Sequence, residues 1–153
     1  MEFSGHIADA CWASKYGSMA EEFPNFSATI MVQNRGTKNE RLAGASMMIE
    51  TTGEDGTPLL VIRGLNPIEN VINGVQVEDF FDKFIDYAQK IADKTKRKLA
   101  IVIDDHSGGS ATNRPALFDF LNKKRISLEQ VKLDSTKGTT FNGYDITSDT
   151  YLL

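Results

Sequence analysis

One helical stripe, followed at once by an unbroken apolar run, constrains this chain more than any other feature. Val77, Phe80, Phe81, Phe84, Ile85, Ala88, Ile91 and Ala92 recur with the 3.6-residue period of an α-helix, and Glu78, Asp79, Asp82, Lys83 and Lys90 take the other side. Acidic residues in the first turn and the basic run Lys94 to Lys98 at the far end both complement the helix macrodipole. That placement gives the basic run a structural explanation without a nucleic-acid partner. The run Leu99 to Ile103 is short and wholly apolar, as expected of a strand buried on both faces. Leu59 to Ile62 forms a similar run ahead of the helix. Strand, long helix and second strand make a β-α-β unit, whose two strands should lie parallel.

Upstream the period changes from 3.6 to 2. Phe26, Ala28, Ile30 and Val32 alternate with Ser27, Thr29, Met31 and Gln33, which predicts a strand whose first set is buried. Arg35 to Arg41 reads as a hairpin turn, Leu42 to Thr52 as the partner strand, and Gly53 to Pro58, with its Asp-Gly pair, as a second turn opening onto Leu59. These pieces form an antiparallel meander. Residues 6–22 have helical spacing and end before Pro24. Arg63 to Gly74 reads as a loop rich in Asn and Gly. Asp104 to Thr112 reads as another, and Asn113 to Lys124 as a short helix with Pro115 in its first turn, where the missing N–H costs nothing. LEQVKLD and TFNGYDIT read as two final strands. The expected fold is α/β in the wider α+β sense: a mixed sheet, with an antiparallel meander followed by a β-α-β unit, a short helix and a C-terminal hairpin.

No internal repeat is visible, and 153 residues suit a single domain over 1–153. A formal net charge of −4 disfavours nucleic acid. No apolar run is long enough for a membrane span and the start has no export pattern, so a soluble, cytoplasmic protein is expected. The single cysteine, Cys11, allows no internal disulfide and, on the inner side of the first helix, reads as a small buried hydrophobe. The two histidines and the scattered acids show no metal-ligand spacing, so no metal is expected.

Chemistry is concentrated at the carboxyl end of the central strand, where an open α/β sheet usually places its ligand crevice. Asp104, Asp105 and His106 stand there. A histidine beside carboxylates can serve as a general base, which makes His106 with Asp105 the catalytic candidates. The alternative is a polar strand end running into a solvated loop. Ser107 to Ser110 is a flexible link able to offer N–H groups to an anion. Arg63, at the end of the other parallel strand, can hold an anion or simply end that strand, and Asn66 follows it.

The order of elements over residues 26–146 resembles the Gcn5-related N-acetyltransferase (GNAT) fold, and Asn113, Ala116 and Phe120 stand at the spacing of that family's N-x-x-A-x-x-x-Y helix start. The resemblance implies acetyl-CoA as cofactor, lying where the two parallel strands diverge, and a small-molecule or peptide amine as acceptor. It also implies a cofactor-binding set of Arg63, Asn70, Asn73, Gly74 and Asn113, in which the turn Asn70 to Gly74 would turn N–H groups toward the pyrophosphate. Two departures stand beside it. Phe120 replaces the tyrosine that often acts as general acid, and the glycine signature Q/R-x-x-G-x-G/A before the long helix is not matched. The family's first strand and helix are also missing in their usual form, which is expected of a piece of a longer polypeptide. Two functions follow: an acyl-CoA-dependent N-acyltransferase, or a non-catalytic recognition or structural domain of the same architecture. The segment Cys11-Trp12-Ala13 is similar to that around the nucleophile of papain-like cysteine proteases. It has Gly5 and His6 where a glutamine is needed upstream, and the chain is too short for that family's two lobes.

Overall fold

A computed structural model of the chain describes residues 19–105, 109–141, 144–146 and 149–153. The elements are α1 (Met19–Glu22), β1 (Phe26–Gln33), β2 (Arg41–Thr52), β3 (Pro58–Pro67), α2 (Glu69–Ile72), α3 (Val77–Lys94), β4 (Lys98–Val102), α4 (Pro115–Lys124), β5 (Gln130–Val131), β6 (Thr140–Phe141), β7 (Tyr144–Asp145) and β8 (Thr150–Leu152). The helix expected over residues 6–22 lies outside the described residues except for α1. Six strands form one mixed sheet in the order β1-β2-β3-β4-β8-β5, and β6 with β7 forms a separate hairpin. As the β-α-β pattern requires, β3 and β4 are parallel, with Leu59 opposite Lys98 and Ile62 opposite Ile101.

Both faces of the central strands are covered, which is why their sequences are apolar without alternation. On one face Met48, Leu60, Ile62, Leu99 and Ile101 pack with Phe81, Phe84, Ala88 and Ala92 of α3 and with Leu117 and Leu121 of α4. On the other, Phe26, Met47, Ile49, Val61 and Val102 form a second cluster with Ile146, joined at its margin by Val131 and Leu133. The helical stripe read from Val77 onward is therefore the surface that closes the first cluster. Among the described residues no helix is long and apolar enough to cross a membrane.

Three local expectations change. The strand read as ending at Ile62 runs on to Pro67, because a bulge at Arg63 puts Ile62 opposite Met48 and Gly64 opposite Met47, and pairing resumes as far as Gly44. A Cβ on Gly44 would stand 2.6 Å from the Pro67 Cα, so the close approach of the two backbones depends on glycine there. In β1 only Phe26 of the expected buried set is deeply buried, whereas Ile30 is 53% and Val32 40% exposed. The register shifts between Met31 and Val32, and β1 lies at the sheet margin, so its alternation does not mark a covered face. Finally, TFNGYDIT is not one strand but two, with Thr140 opposite Asp145 and Phe141 opposite Tyr144. The Asn142-Gly143 pair between them is a tight-turn sequence. The neighbour of β4 is instead β8, placing Tyr151 opposite Ile101, and β5 pairs on its far side with only two residues.

Candidate functional site

Two places deserve a functional reading because a strand loses a neighbour at each. The first lies between the parallel strands. Their pairing stops at Ile62 and Ile101, where the Arg63 bulge carries β3 toward β2, and a gap opens beyond. The chain fills that gap itself. The Leu65 N–H donates to the Ala111 carbonyl at 2.6 Å, and the Ala111 N–H donates to the Val102 carbonyl at 2.9 Å, so Ala111 bridges the two strands as a short third strand would. Ser110, Ala111 and Thr112 are 4%, 2% and 1% exposed.

The polar side chains nearby hold this insertion in place. The Arg63 Nη1 donates to the Ser110 carbonyl at 3.1 Å. The Asn66 Oδ1 is 3.4 Å from the Asn113 N–H and 3.5 Å from the Thr112 hydroxyl, long bonds in a site where Asn66 is itself buried. The Thr112 hydroxyl accepts from the Arg114 N–H at 3.1 Å, and the buried Arg114 guanidinium donates from Nε to the Pro67 carbonyl at 2.6 Å. A guanidinium taken out of water needs such partners. Arg63 and Asn113, both expected to bind a cofactor, thus both border this insertion, Arg63 donating to a backbone carbonyl and Asn113 donating its own N–H to the Asn66 side chain. Arg114, which the sequence reading passed over, anchors the same segment. Its only sequence signal is its place one residue before Pro115, at a helix start.

The other expected residues lie apart from this cluster. Asn70, Asn73 and Gly74 are exposed on and after α2, and their turn is internally bonded: Asn73 N–H donates to Glu69 O at 2.9 Å and Gly74 N–H to Val71 O at 3.3 Å. Those two N–H groups point into the turn. Asp105 is exposed just past β4, and its N–H donates to the carboxylate of the half-buried Asp104 at 2.7 Å. His106 and Cys11 lie outside the described residues. Among the described residues no three His, Cys, Asp or Glu side chains gather closely enough to hold a metal ion.

The second place is an open groove of about 740 Å³ between β1 and α3, floored by Thr29 to Gln33 and walled by Phe80, Lys83, Phe84 and Tyr87 on the helix and by Val71, Val75 and Gln76 before it. Across it the Thr29 and Tyr87 hydroxyls stand 3.2 Å apart. Ile30, Val32, Val75 and Tyr87, four of the five large hydrophobic side chains exposed among the described residues, border this groove. Such clustering marks an interaction surface more often than it marks chance exposure. Sequence reading missed it, because Ile30 and Val32 sit in an alternation that reads as core, and Val75 and Tyr87 fall outside the apolar patterns. No family model matches the chain, and no curated protein or solved structure matches it either.

Proposed function

We propose that the chain is a non-catalytic recognition domain with an acyltransferase-like order of elements, working through the groove between β1 and α3. The observation that carries this reading is the Ala111 bridge. In the resemblance, acetyl-CoA would lie where the parallel strands diverge, and here Leu65 and Val102 already satisfy each other's neighbour through Ala111. For acetyl-CoA to enter, Ser110 to Thr112 would have to leave and expose buried polar groups, at a cost of about 1–3 kcal/mol for each one left unsatisfied.

Two further features support the same reading. Phe120, at the position of the family's acidic tyrosine, has no proton to donate, and its ring packs edge-on against Phe81 with centroids 5.3 Å apart. The turn at Asn70 to Gly74 binds its own carbonyls with the Asn73 and Gly74 N–H groups, which leaves them no capacity for a pyrophosphate. The competing reading, acyl transfer from acetyl-CoA to an amine, is the outcome that would overturn this one. Titration calorimetry and thermal melts with acetyl-CoA test it. No heat and no rise in Tm are expected at millimolar cofactor, whereas micromolar affinity with a raised Tm, the mark of a ligand that binds the native state, would restore the acyltransferase.

A further inference from the structure

Resting on that reading of the groove, we propose that its partner is a second copy of this chain, joined antiparallel along β1 so that one sheet runs through both copies. The two margins of the sheet support this by contrast. At one, β5 has only two residues and is followed by Lys132, a short margin with an adjacent charge of the kind that blunts unwanted pairing. At the other, β1 has eight residues, FSATIMVQ, with no charge and no proline, and no second neighbour among the described residues. Its one irregularity, between Met31 and Val32, leaves Phe26 to Met31 in regular register with β2. A long uncharged margin bearing Ile30 and Val32 exposed is a template for another strand.

The charges at its two ends select the partner and the direction. Exposed Glu21 precedes the strand, and the exposed turn after it carries Arg35 and Lys38, with Arg41 opening β2, against the single acid Glu40, whose carboxylate accepts from the Gly36 N–H at 2.6 Å. Antiparallel self-pairing centred on Thr29 places the acidic end of each copy beside Arg35 and Lys38 of the other, twice in one interface. Parallel pairing would set like charge on like. The same centre sets Ile30 opposite Ala28 and Val32 opposite Phe26 of the other copy, so the exposed side chains gain apolar cross-strand neighbours. The two-fold axis of such a pair stands perpendicular to the sheet, which keeps both α3 helices on one face and lets the two grooves meet as one cavity across the interface.

Sedimentation velocity on the full chain, with light scattering after gel filtration, tests the pairing. A dimer at micromolar concentration is expected, and a monomer at every concentration would overturn the proposal. Ile30→Lys, at an exposed site where the fold tolerates charge, should give a folded monomer that still melts cooperatively, at a Tm that no longer depends on protein concentration; a dimer indifferent to it would place the interface elsewhere and also overturn the proposal. Glu21→Lys and Arg35→Glu should each weaken the dimer several-fold, since each change occurs twice per interface, and the double variant should recover the affinity. A double variant weaker than either single one would exclude the antiparallel arrangement. Acetyl-CoA titration on the same samples separates the two readings: binding by an intact dimer would remove the recognition reading and leave the pairing, and a monomer that ignores acetyl-CoA would do the reverse.

Discussion

Where β3 parts from β4 and where β1 ends the sheet, the fold meets the same problem, a strand that lacks a second strand neighbour among the described residues, and treats it in opposite ways. At the first, backbone bonds through Ala111 and side-chain bonds from Arg63 and Arg114 close the gap with the chain's own residues. At the second, an apolar groove stays open beside a strand without charge. Closure by polar bonds requires the donors and acceptors to be local and matched, and the segment just after β4 supplies them. Apolar surface needs only area, and a second chain can supply that. Polar chemistry in this molecule therefore marks the gap that the chain closes itself, and most of the large exposed hydrophobic side chains among the described residues mark the groove that it leaves open.

Substitutions can break that contrast from either side. Phe81 is 1% exposed and belongs to the core that both regions rest on, so Phe81→Ala should cost about 3–5 kcal/mol through lost transfer energy and a cavity. Denaturant unfolding reads this directly, and a loss under about 1 kcal/mol would mean that the α3 face is misassigned. Asn66→Ala acts on the closed gap alone. It deprives the Asn113 N–H and the Thr112 hydroxyl of a common acceptor, and a loss of about 1–2 kcal/mol is expected, together with faster hydrogen exchange at the Ala111 and Leu65 amides. Unchanged exchange at those amides would show that the side chains do not hold the insertion.

How much of this was legible beforehand depends on whether a feature is periodic or depends on distant partners. α3 and β4 announce themselves by a helical stripe and an apolar run, and α4 by Pro115, because each pattern is imposed locally by burial. The course of β3 past Ile62 was not legible. RGLNP has the composition of a loop, and only its pairing with Gly44 to Met47 keeps it in the sheet. β8 was missed for the same reason, three residues whose strand character comes from Ile101 opposite Tyr151. At the site, sequence singled out Arg63 and Asn113 as cofactor-binding because both stand at strand and helix ends, and both border the gap. It could not foresee that Ala111, a residue with no side-chain chemistry, would occupy the gap through its backbone.

The groove should respond far less than the gap. Tyr87→Phe removes only the hydroxyl that faces Thr29 across an exposed site, so stability should change by no more than about 0.5 kcal/mol. A loss of about 1 kcal/mol or more in the same unfolding experiment would mean that the strand and the helix are braced across the groove, and that it is a closed part of the fold.

The smallest effect is expected at a third place, where the segment just after β5 is tied to the β2–β3 turn. Glu54 N–H donates to Lys132 O and Asp134 N–H to Thr52 O, at 2.9 and 2.8 Å. The carboxylates flanking these ties, Asp55 and Asp134, both titrate below their ordinary value of 3.8. For Asp55 the main cause is the Thr57 N–H and then the Thr57 hydroxyl; for Asp134 it is the Thr136 hydroxyl and then the Thr136 N–H. A depressed folded pKa stabilises the native state above the unfolded value, and that share is lost as pH falls through the folded value, because the unfolded chain takes up its protons first. Both groups are solvent-exposed, so the slope will be shallow. Denaturant midpoints measured from neutral pH down into the acid range should fall less steeply for the double variant Asp55→Asn/Asp134→Asn than for the parent, and the protection of the Glu54 and Asp134 amides against exchange, relative to the intrinsic rate at each pH, should fall with acid in the parent before that of the β1 amides follows. Identical slopes in both proteins would mean that the two turns do not set the acid response, and protection lost first along β1 would make the open margin, rather than this tie, the weaker side of the sheet.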